Sequence, residues 1–571
     1  MQQIKEAEQN REDLSGAKSK KRKAEEPKEK QIKYGRTDSV ESSASKQGKE
    51  EEIDKEEPQQ QPQQQQLQQQ QLQQQQLQVQ PQVQPVPFWD DLSQKISEWI
   101  VLPKTVVQKR SSKELPKGKK PWYTIEEKQF KSDSKPVQVD WKKVVQLMHN
   151  AAKKDEEEKE KSKNKKKRPK KKRKKPEAGK AKKIKLRLTA NQKDTLKQWM
   201  GTARWTYNQC LNEIKTKNLS INADTKKLLR ERFIYNDNYK TTNQWVLNTP
   251  QYIRDQALSD LMGAFKSNFA SGHQFQIKFR SKKSPQEAIA LEGREWKDGK
   301  IYSKTFGKAK MKGFEALPSE MAFDFRIVKN RLSEFFICIP HELEIRSESQ
   351  APTFNNFEEG ILSIDPGVRT FCTGYSPNGK SCEWAKNDIA RIGRLCHALD
   401  KLQSKWSQPE IRHRKRYRLR RAATRIHKKI RNIVDDVHKR LCNWLVHNYH
   451  TILLPEFRTQ GMVQKGKRKI TSKTARNMLT WAHYRFRMRL LNKAREFPWC
   501  KVIVCDEAYT SKTCGKCGTL HNKLGGNKVF ACPHCKVTLD RDINGARNIL
   551  IRYLTLKCSK SLRALGLTPL L

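Results

Sequence analysis

Three acidic residues and four cysteines stand in one ordered series in the last third of the chain. Asp365 closes the run Gly360-Ile-Leu-Ser-Ile-Asp365, Glu456 closes Thr451-Ile-Leu-Leu-Pro-Glu456, and Asp542 lies within Asp540-Arg-Asp-Ile-Asn-Gly-Ala546. Short apolar runs bounded by turn residues read as buried strands, and a carboxylate at the end of such a strand leaves the core where it can meet a cation. Carboxylate oxygens are the hard ligands that magnesium prefers. Between the second and third acids, Cys514-x-x-Cys517 and Cys532-x-x-Cys535 have the paired spacing of a structural zinc ribbon. Four thiolates close the tetrahedral shell of such an ion and leave no open position for a substrate, so His521 and His534 nearby are surplus to it. One strand-end acid alone would carry little weight, because most Asp and Glu residues are solvated at the surface. The ordered series is what points to a metal site.

In this order and context the residues resemble the RuvC-type nuclease domain of the TnpB and Fanzor family, compact RNA-guided DNA endonucleases related to type V CRISPR effectors. The resemblance rests on Ser363-Ile-Asp365-Pro-Gly367, Leu453-Leu-Pro-Glu456-Phe457, Tyr509-Thr-Ser-Lys-Thr-Cys514-Gly-Lys-Cys517-Gly518 and Asp540-Arg-Asp542-Ile-Asn-Gly-Ala546. It spans residues 182–553, is strongest after Gly360, and through Pro455 is most similar to the eukaryotic Fanzor branch. It implies an α/β RNase H-like fold with an inserted zinc ribbon, and cleavage of DNA phosphodiesters with two Mg2+ ions. By the same resemblance Asp365 would bridge both ions, Glu456 hold one and Asp542 the other. The family's last acid precedes x-Asn, which selects Asp542 over Asp540. Glu507 follows Lys501-Val-Ile-Val-Cys505 and could also end a strand, and some Fanzor relatives carry their glutamate at this later site. With Glu456 present, Glu507 is assigned a supporting role. The implied partners are a guide RNA of transposon type and target DNA beside a short adjacent motif, in a monomeric ribonucleoprotein.

Composition agrees with such partners. The 571 residues include 118 Lys and Arg against 62 Asp and Glu, a formal charge of +56, and an excess of that size seeks a polyanion. No apolar run approaches the roughly 18 residues of a membrane span, and the first residues, Met-Gln-Gln-Ile-Lys-Glu, lack a signal-peptide core. An intracellular protein with reduced thiols is expected, four ligating zinc and the rest packed as small hydrophobes. Two basic blocks, residues 20–23 and 165–175, have the look of a nuclear import signal or a nucleic-acid arm, with import favoured for the longer one.

Elements to position the acids follow from the hydrophobic pattern. Residues 1–180, charged, glutamine-rich and then basic, read as a disordered tail, with scattered aromatics near 88–99 and 122–148 that could form short helices or docking motifs. Residues 181–190 and 276–350 read as a strand-rich, wedge-like unit, and 191–275 as a helical recognition insertion. Residues 351–571 form the RuvC-like domain with its ribbon at 510–538. Within it, two apolar stripes, Ile392 to Leu402 and Ile426 to Leu441, mark an antiparallel helix pair. Between them Arg412, Arg414, Lys415, Arg416, Arg418, Arg420 and Arg421 are expected to grip phosphate. Two other readings use the same residues. A nuclease-inactive RNA-guided DNA-binding protein is disfavoured by the three intact acids, and a guide-independent RuvC-like resolvase or transposase by the charge excess and the units ahead of Gly360.

Overall fold

The computed structural model describes residues 89–111, 121–131, 137, 139–164, 179–308, 310–311, 318–466 and 468–564. The glutamine-rich stretch and both basic blocks lie outside the described residues.

Helix α1 (Asp91–Glu98) is started by Asp90, whose carboxylate accepts from the Ser93 amide. Strands β1 (Thr105–Ser111) and β2 (Ile125–Lys131) and helix α2 (Trp141–Asn164) follow. Strand β3 (Gly179–Arg187) leads through a Thr189–Gln192 capping box into α3 (Ala190–Thr216), then α4 (Ala223–Phe233) and α5 (Gln251–Ser271). Strands β4 (Gln286–Leu291), β5 (Phe325–Asn330) and β6 (Phe335–Glu342) return to pair with β3 in the order β4-β5-β6-β3, with Lys310–Met311 on the far edge. Ile184, Leu186 and Leu188 are buried beside Trp199, Leu211 and Leu261 of the helices, so this sheet and α3 to α5 share one core.

The second sheet carries the acids. Strands β7 (Ile361–Pro366), β8 (Cys372–Tyr375) and β9 (Lys380–Trp384) form an antiparallel meander, its second turn made by Gly379 at φ +85°. Helices α6 (Ile389–Ser407) and α7 (His413–Asn448) then cross over to β10 (Thr451–Pro455), parallel to β7. Helices α8 (Ser472–Trp481) and α9 (His483–Ala494) cross over to β11 (Lys501–Cys505), parallel to β10. Parallel neighbours require such crossovers, and the helices cover the sheet on the way. After the small hairpin of β12 (Val529–Ala531) and β13 (Thr538–Asp540), α10 (Arg541–Ala564) packs on the opposite face. One core holds Leu362, Ile364, Ile452, Leu454 and Val502 against α7 and α9, and the other holds Ile361, Leu453 and Ile503 against α10. Burial on both faces is why β7 and β10 are continuously apolar.

The sheet has seven strands, in the order β1-β2-β9-β8-β7-β10-β11. The reading of residues 1–180 as a tail without fold therefore fails for the described residues between 89 and 164. Strand β2 pairs with β9 from Ile125–Trp384 to Gln129–Lys380, and α1 and α2 pack into the α10 core through Leu92, Ile96, Ile100, Trp141, Val144 and Met148. The physical reason is spacing. These apolar residues are sparse, but recur every three or four positions, which gives each helix one narrow stripe for docking. Among the described residues no helix is long and apolar enough to cross a membrane.

Candidate metal centre and nucleic-acid face

Asp365 ends β7 under the first turns of α10. A Cβ at Gly545 would lie 2.7 Å from Asp365 Oδ2, so a residue without a side chain is what lets the helix pass the carboxylate. Burial, and then the charges of Asp542 and Glu507, push the Asp365 carboxyl well above the usual carboxylate range, with Arg541 offsetting part of this. Asp542, in the first turn of α10, is also raised by burial and by Asp540, against Lys528, Arg369 and Arg541. Glu507 is pushed up to about 7 by burial and by Asp506. Carboxyl groups that resist ionising because they are buried beside other acids form a site that a divalent cation would neutralise. Their all-oxygen donor set fits magnesium.

Asp540 has a different task. Its Oδ1 accepts from the amides of Asp542 at 3.0 Å and Ile543 at 3.3 Å, capping α10. The preference for Asp542 as the site acid has this geometric support.

Glu456 stands apart from the cluster. Its carboxylate accepts from Arg458 Nε at 2.7 Å and lies 4.0 Å from Arg487, and the Arg458 bond is the main reason its pKa is lowered. Strand alternation accounts for the difference. Leu453, Ile503 and Cys505 point to the α10 side, as Asp365 does, while Ile452, Leu454 and Val502 point away. Pro455 is level with Cys505 in the register, so Glu456 continues the outward set and Glu507 the α10 set. Both glutamates line one groove of about 1100 Å³, with Arg487, Met488 and Arg552.

The four cysteine sulfurs all lie within 4.8 Å of one another. Cys514 to Cys535 and Cys517 to Cys532 are each 3.6 Å apart, close to the roughly 3.8 Å edge of a thiolate tetrahedron with 2.3 Å metal bonds. The donor set fits zinc, and among the described residues no other group of three or more ligating side chains is so compact. His521 instead packs edge-on against Phe530.

Sequence reasoning missed what fastens this ribbon to the sheet. Asn544 and Asn548, fully buried on one face of α10, donate to the carbonyls of Thr510 and Thr513, and Asn544 also accepts from the Gly515 amide. Arg547, 1 % exposed, donates to the carbonyls of Gly515, Ser97, Ile100 and Val101, so one guanidinium joins the ribbon, α10 and the end of α1. The Asn-x-x-Arg-Asn spacing at 544–548 was the available signal, since polar residues at i, i+3 and i+4 share a helix face.

The basic segment is not a loop between helices. Arg412 precedes α7, and Arg414, Lys415, Arg416, Arg418, Arg420 and Arg421 occupy its opening turns, where no acid is present. Cations at a helix N-terminus oppose the helix dipole. Arg416 donates to the Gln408 and Pro409 carbonyls and Arg421 to the Tyr417 hydroxyl, while Arg412, Arg414, Lys415, Arg418 and Arg420 are exposed.

Comparison with known proteins places this geometry. Residues 344–466, which hold β7 and β10, match the IS605 OrfB family described as "Probable transposase". Residues 483–549, from α9 through the ribbon to α10, match the Cas12f1-like TNB domain, and 179–217 match the helix-turn-helix domain of IS605 OrfB. Three separate stretches of the chain thus resemble OrfB and Cas12f1-like models. Over longer spans the chain is similar to TnpB-like proteins. A TnpB-like protein of Acanthamoeba polyphaga mimivirus is 23% identical over 80% of this chain and 86% of its own length. A protein of Paramecium bursaria Chlorella virus 1, named a transposase, is 28% identical over 66% and 87%. InsQ of Escherichia coli (strain K12), named an RNA-guided DNA endonuclease, is 22% identical over 64% and 90%. Among solved structures, the Cas12f1-sgRNA-target DNA complex aligns with a TM-score of 0.38 at 14% identity, over 63% of this chain and 83% of that one.

Proposed function

We propose that the protein is an RNA-guided DNA endonuclease whose RNase H-like, RuvC-type domain cuts phosphodiesters with two Mg2+ ions. The observation that carries this reading is the end of β7 packed under α10, where Gly545 lets the helix pass the Asp365 carboxylate and the charges of Asp542 and Glu507 act on it. The names of the TnpB-like and InsQ relatives support the substrate class. The carboxylates of Asp365, Asp542 and Glu507 would hold the ions, which when bound supply water activation and stabilise the leaving oxygen. Arg369 and Arg541 stand beside this pocket as counter-charges, and Glu456 keeps Arg458 and Arg487 on the rim of the groove. The arginines at the start of α7 bind backbone phosphate, and pairing with the guide supplies sequence specificity. Pro455 supports the Fanzor branch, the basic blocks support nuclear import, and the working unit is one protein with one RNA.

Purification with bound RNA, sequencing of that RNA, and cleavage of matched DNA in Mg2+ test the reading. Copurified RNA of one defined sequence and cutting lost in Asp365→Ala support it. Cutting that needs no RNA would replace it with a guide-independent nuclease.

A further inference from the structure

Glu383 is a fully buried carboxylate on β9, outside the acid cluster. It lies in the same row of the sheet as Asp365, since Asp365 pairs with Thr373, Thr373 with Glu383, and Glu383 with Glu126. Three lysines from three segments converge on it. Lys128 of β2 and Lys386 reach Oε2 at 2.9 and 2.8 Å, and Lys528, just before β12, stands 3.7 Å from Oε1, which has no hydrogen-bond partner. A buried carboxylate persists only where cations compensate it. Lys128 and Lys386 already do so on the other oxygen, which leaves the Lys528 contact to be explained.

Lys528 connects Glu383 to the cleavage site. Its ammonium is 4.0 Å from Asp540 Oδ2, and its carbonyl accepts from the Arg541 amide at 2.8 Å. Asp540 is the cap of α10, holding the amides of Asp542 and Ile543. Side chain and backbone of Lys528 therefore both grip the turn that presents Asp542.

We propose that Lys528 is a positioning residue of the cleavage site: anchored by the buried Glu383, it fixes Asp540 and with it the first turn of α10, so that the Asp542 carboxylate faces Asp365. The pair thereby couples the ribbon hairpin and the added strand β2 to the metal ligands. Outer partners of metal ligands commonly change metal affinity or activity by about 10- to 100-fold.

The inference rests on Asp542 being a metal ligand, and the test separates the two. Lys528→Ala, Lys528→Arg, Glu383→Gln and Asp542→Asn are compared in the full chain loaded with its RNA. Readouts are Mg2+ binding by calorimetry, hydrogen exchange at the Asp542 and Ile543 amides, single-turnover cleavage, zinc content and DNA affinity. Lys528→Ala is expected to weaken Mg2+ binding and slow cleavage by about tenfold or more, and to speed exchange at the two amides. Zinc content and DNA affinity should stay unchanged, and Lys528→Arg should restore most of the loss. The double variant Lys528→Ala with Glu383→Gln should be no worse than either single one. Full cleavage by Asp542→Asn would remove the underlying reading. An inactive Asp542→Asn beside a Lys528→Ala protein with native Mg2+ affinity and amide protection would overturn this inference alone. If Glu383→Gln fails to fold, the alanine and arginine variants of Lys528 decide it.

Discussion

Replacing Glu507 and Glu456 by glutamine, one at a time, tests the assignment of the site where two candidates compete. Glu507 is half-buried, its pKa raised to about 7, and its charge acts on Asp365. A carboxylate that holds a catalytic ion carries several kcal/mol of transition-state stabilisation. At about 1.4 kcal/mol per factor of ten, a loss of about 4 kcal/mol slows cleavage about a thousandfold. Glu456 has a side chain 43% exposed, and its partner Arg458 is 82% exposed. An exposed pair of that kind contributes little, so its loss changes the rate by about fivefold at most. The assay is single-turnover cleavage of matched DNA at saturating Mg2+, with guide-dependent DNA binding measured in parallel. Glu507→Gln should bind and not cut, whereas Glu456→Gln should do both. Equal losses, or a larger loss for Glu456→Gln in folded, RNA-loaded protein, would refute the argument from strand alternation and charge.

Four further outcomes are expected. Cys514→Ser or Cys532→Ser should release zinc and lower the melting temperature of the nuclease domain, because a structural zinc ion contributes directly to folding; active wild-type protein without zinc by elemental analysis would remove the ribbon. A chain starting at Trp89 should melt like the full chain, whereas one starting after Lys131 loses three of the four carbonyls held by Arg547 together with the apolar cover of α1 over α10, and should melt at a lower temperature; equal melting of the two would contradict the docking of α1. His438 and His483 are buried with pKa values lowered to about 3 and about 4. They stay neutral in the folded state while the unfolded chain takes up protons near pH 6.5, so their stability is full above that pH and declines below it, by about 2 kcal/mol each at pH 5. Urea unfolding should record this drop between pH 7 and 5, and the part due to His438, about 2 kcal/mol, should vanish in His438→Gln. Replacing exposed arginines among residues 412–421 should flatten the salt dependence of nucleic-acid binding by about 0.9 in log–log slope for each phosphate left unneutralised, and an unchanged slope would make the segment a solvated helix end.

What the sequence revealed depended on how local each signal was. The apolar runs before Asp365 and Glu456 are strands buried on both faces, and the cysteine pairs meet at metal-binding distances, because both patterns are complete within a few residues. Asp540 and Asp542 are separable for the same reason, since capping is a contact between near neighbours. Glu507 was legible as a candidate but its choice over Glu456 was not, because the register between parallel strands is set by the crossover packing of α8 and α9 rather than by a turn. The fold of residues 89–164 was hidden by its polar surroundings, and its partner strand is 255 residues away at the Lys128–Glu383 contact. The opening turns of α7 do not look helical in the sequence, because a run of arginines and lysines displaces the apolar stripe there.

The joining of β2 to β9 also fixes an order of events during synthesis. At about 5–20 residues per second, a separation of about 250 residues leaves the N-terminal hairpin waiting roughly 12–50 s for its partner strand. An unpaired strand edge is a template for wrong pairing, and Lys or other charges along it are a common protection. Strands β1 and β2, Thr-Val-Val-Gln-Lys-Arg-Ser and Ile-Glu-Glu-Lys-Gln-Phe-Lys, carry such charges. The wait is longer for α1, whose Ser97 carbonyl meets Arg547 across 450 residues. The nascent chain therefore cannot bring Asp542 to Asp365 until α10 has been made, so its topology delays completion of the acid site to the end of synthesis.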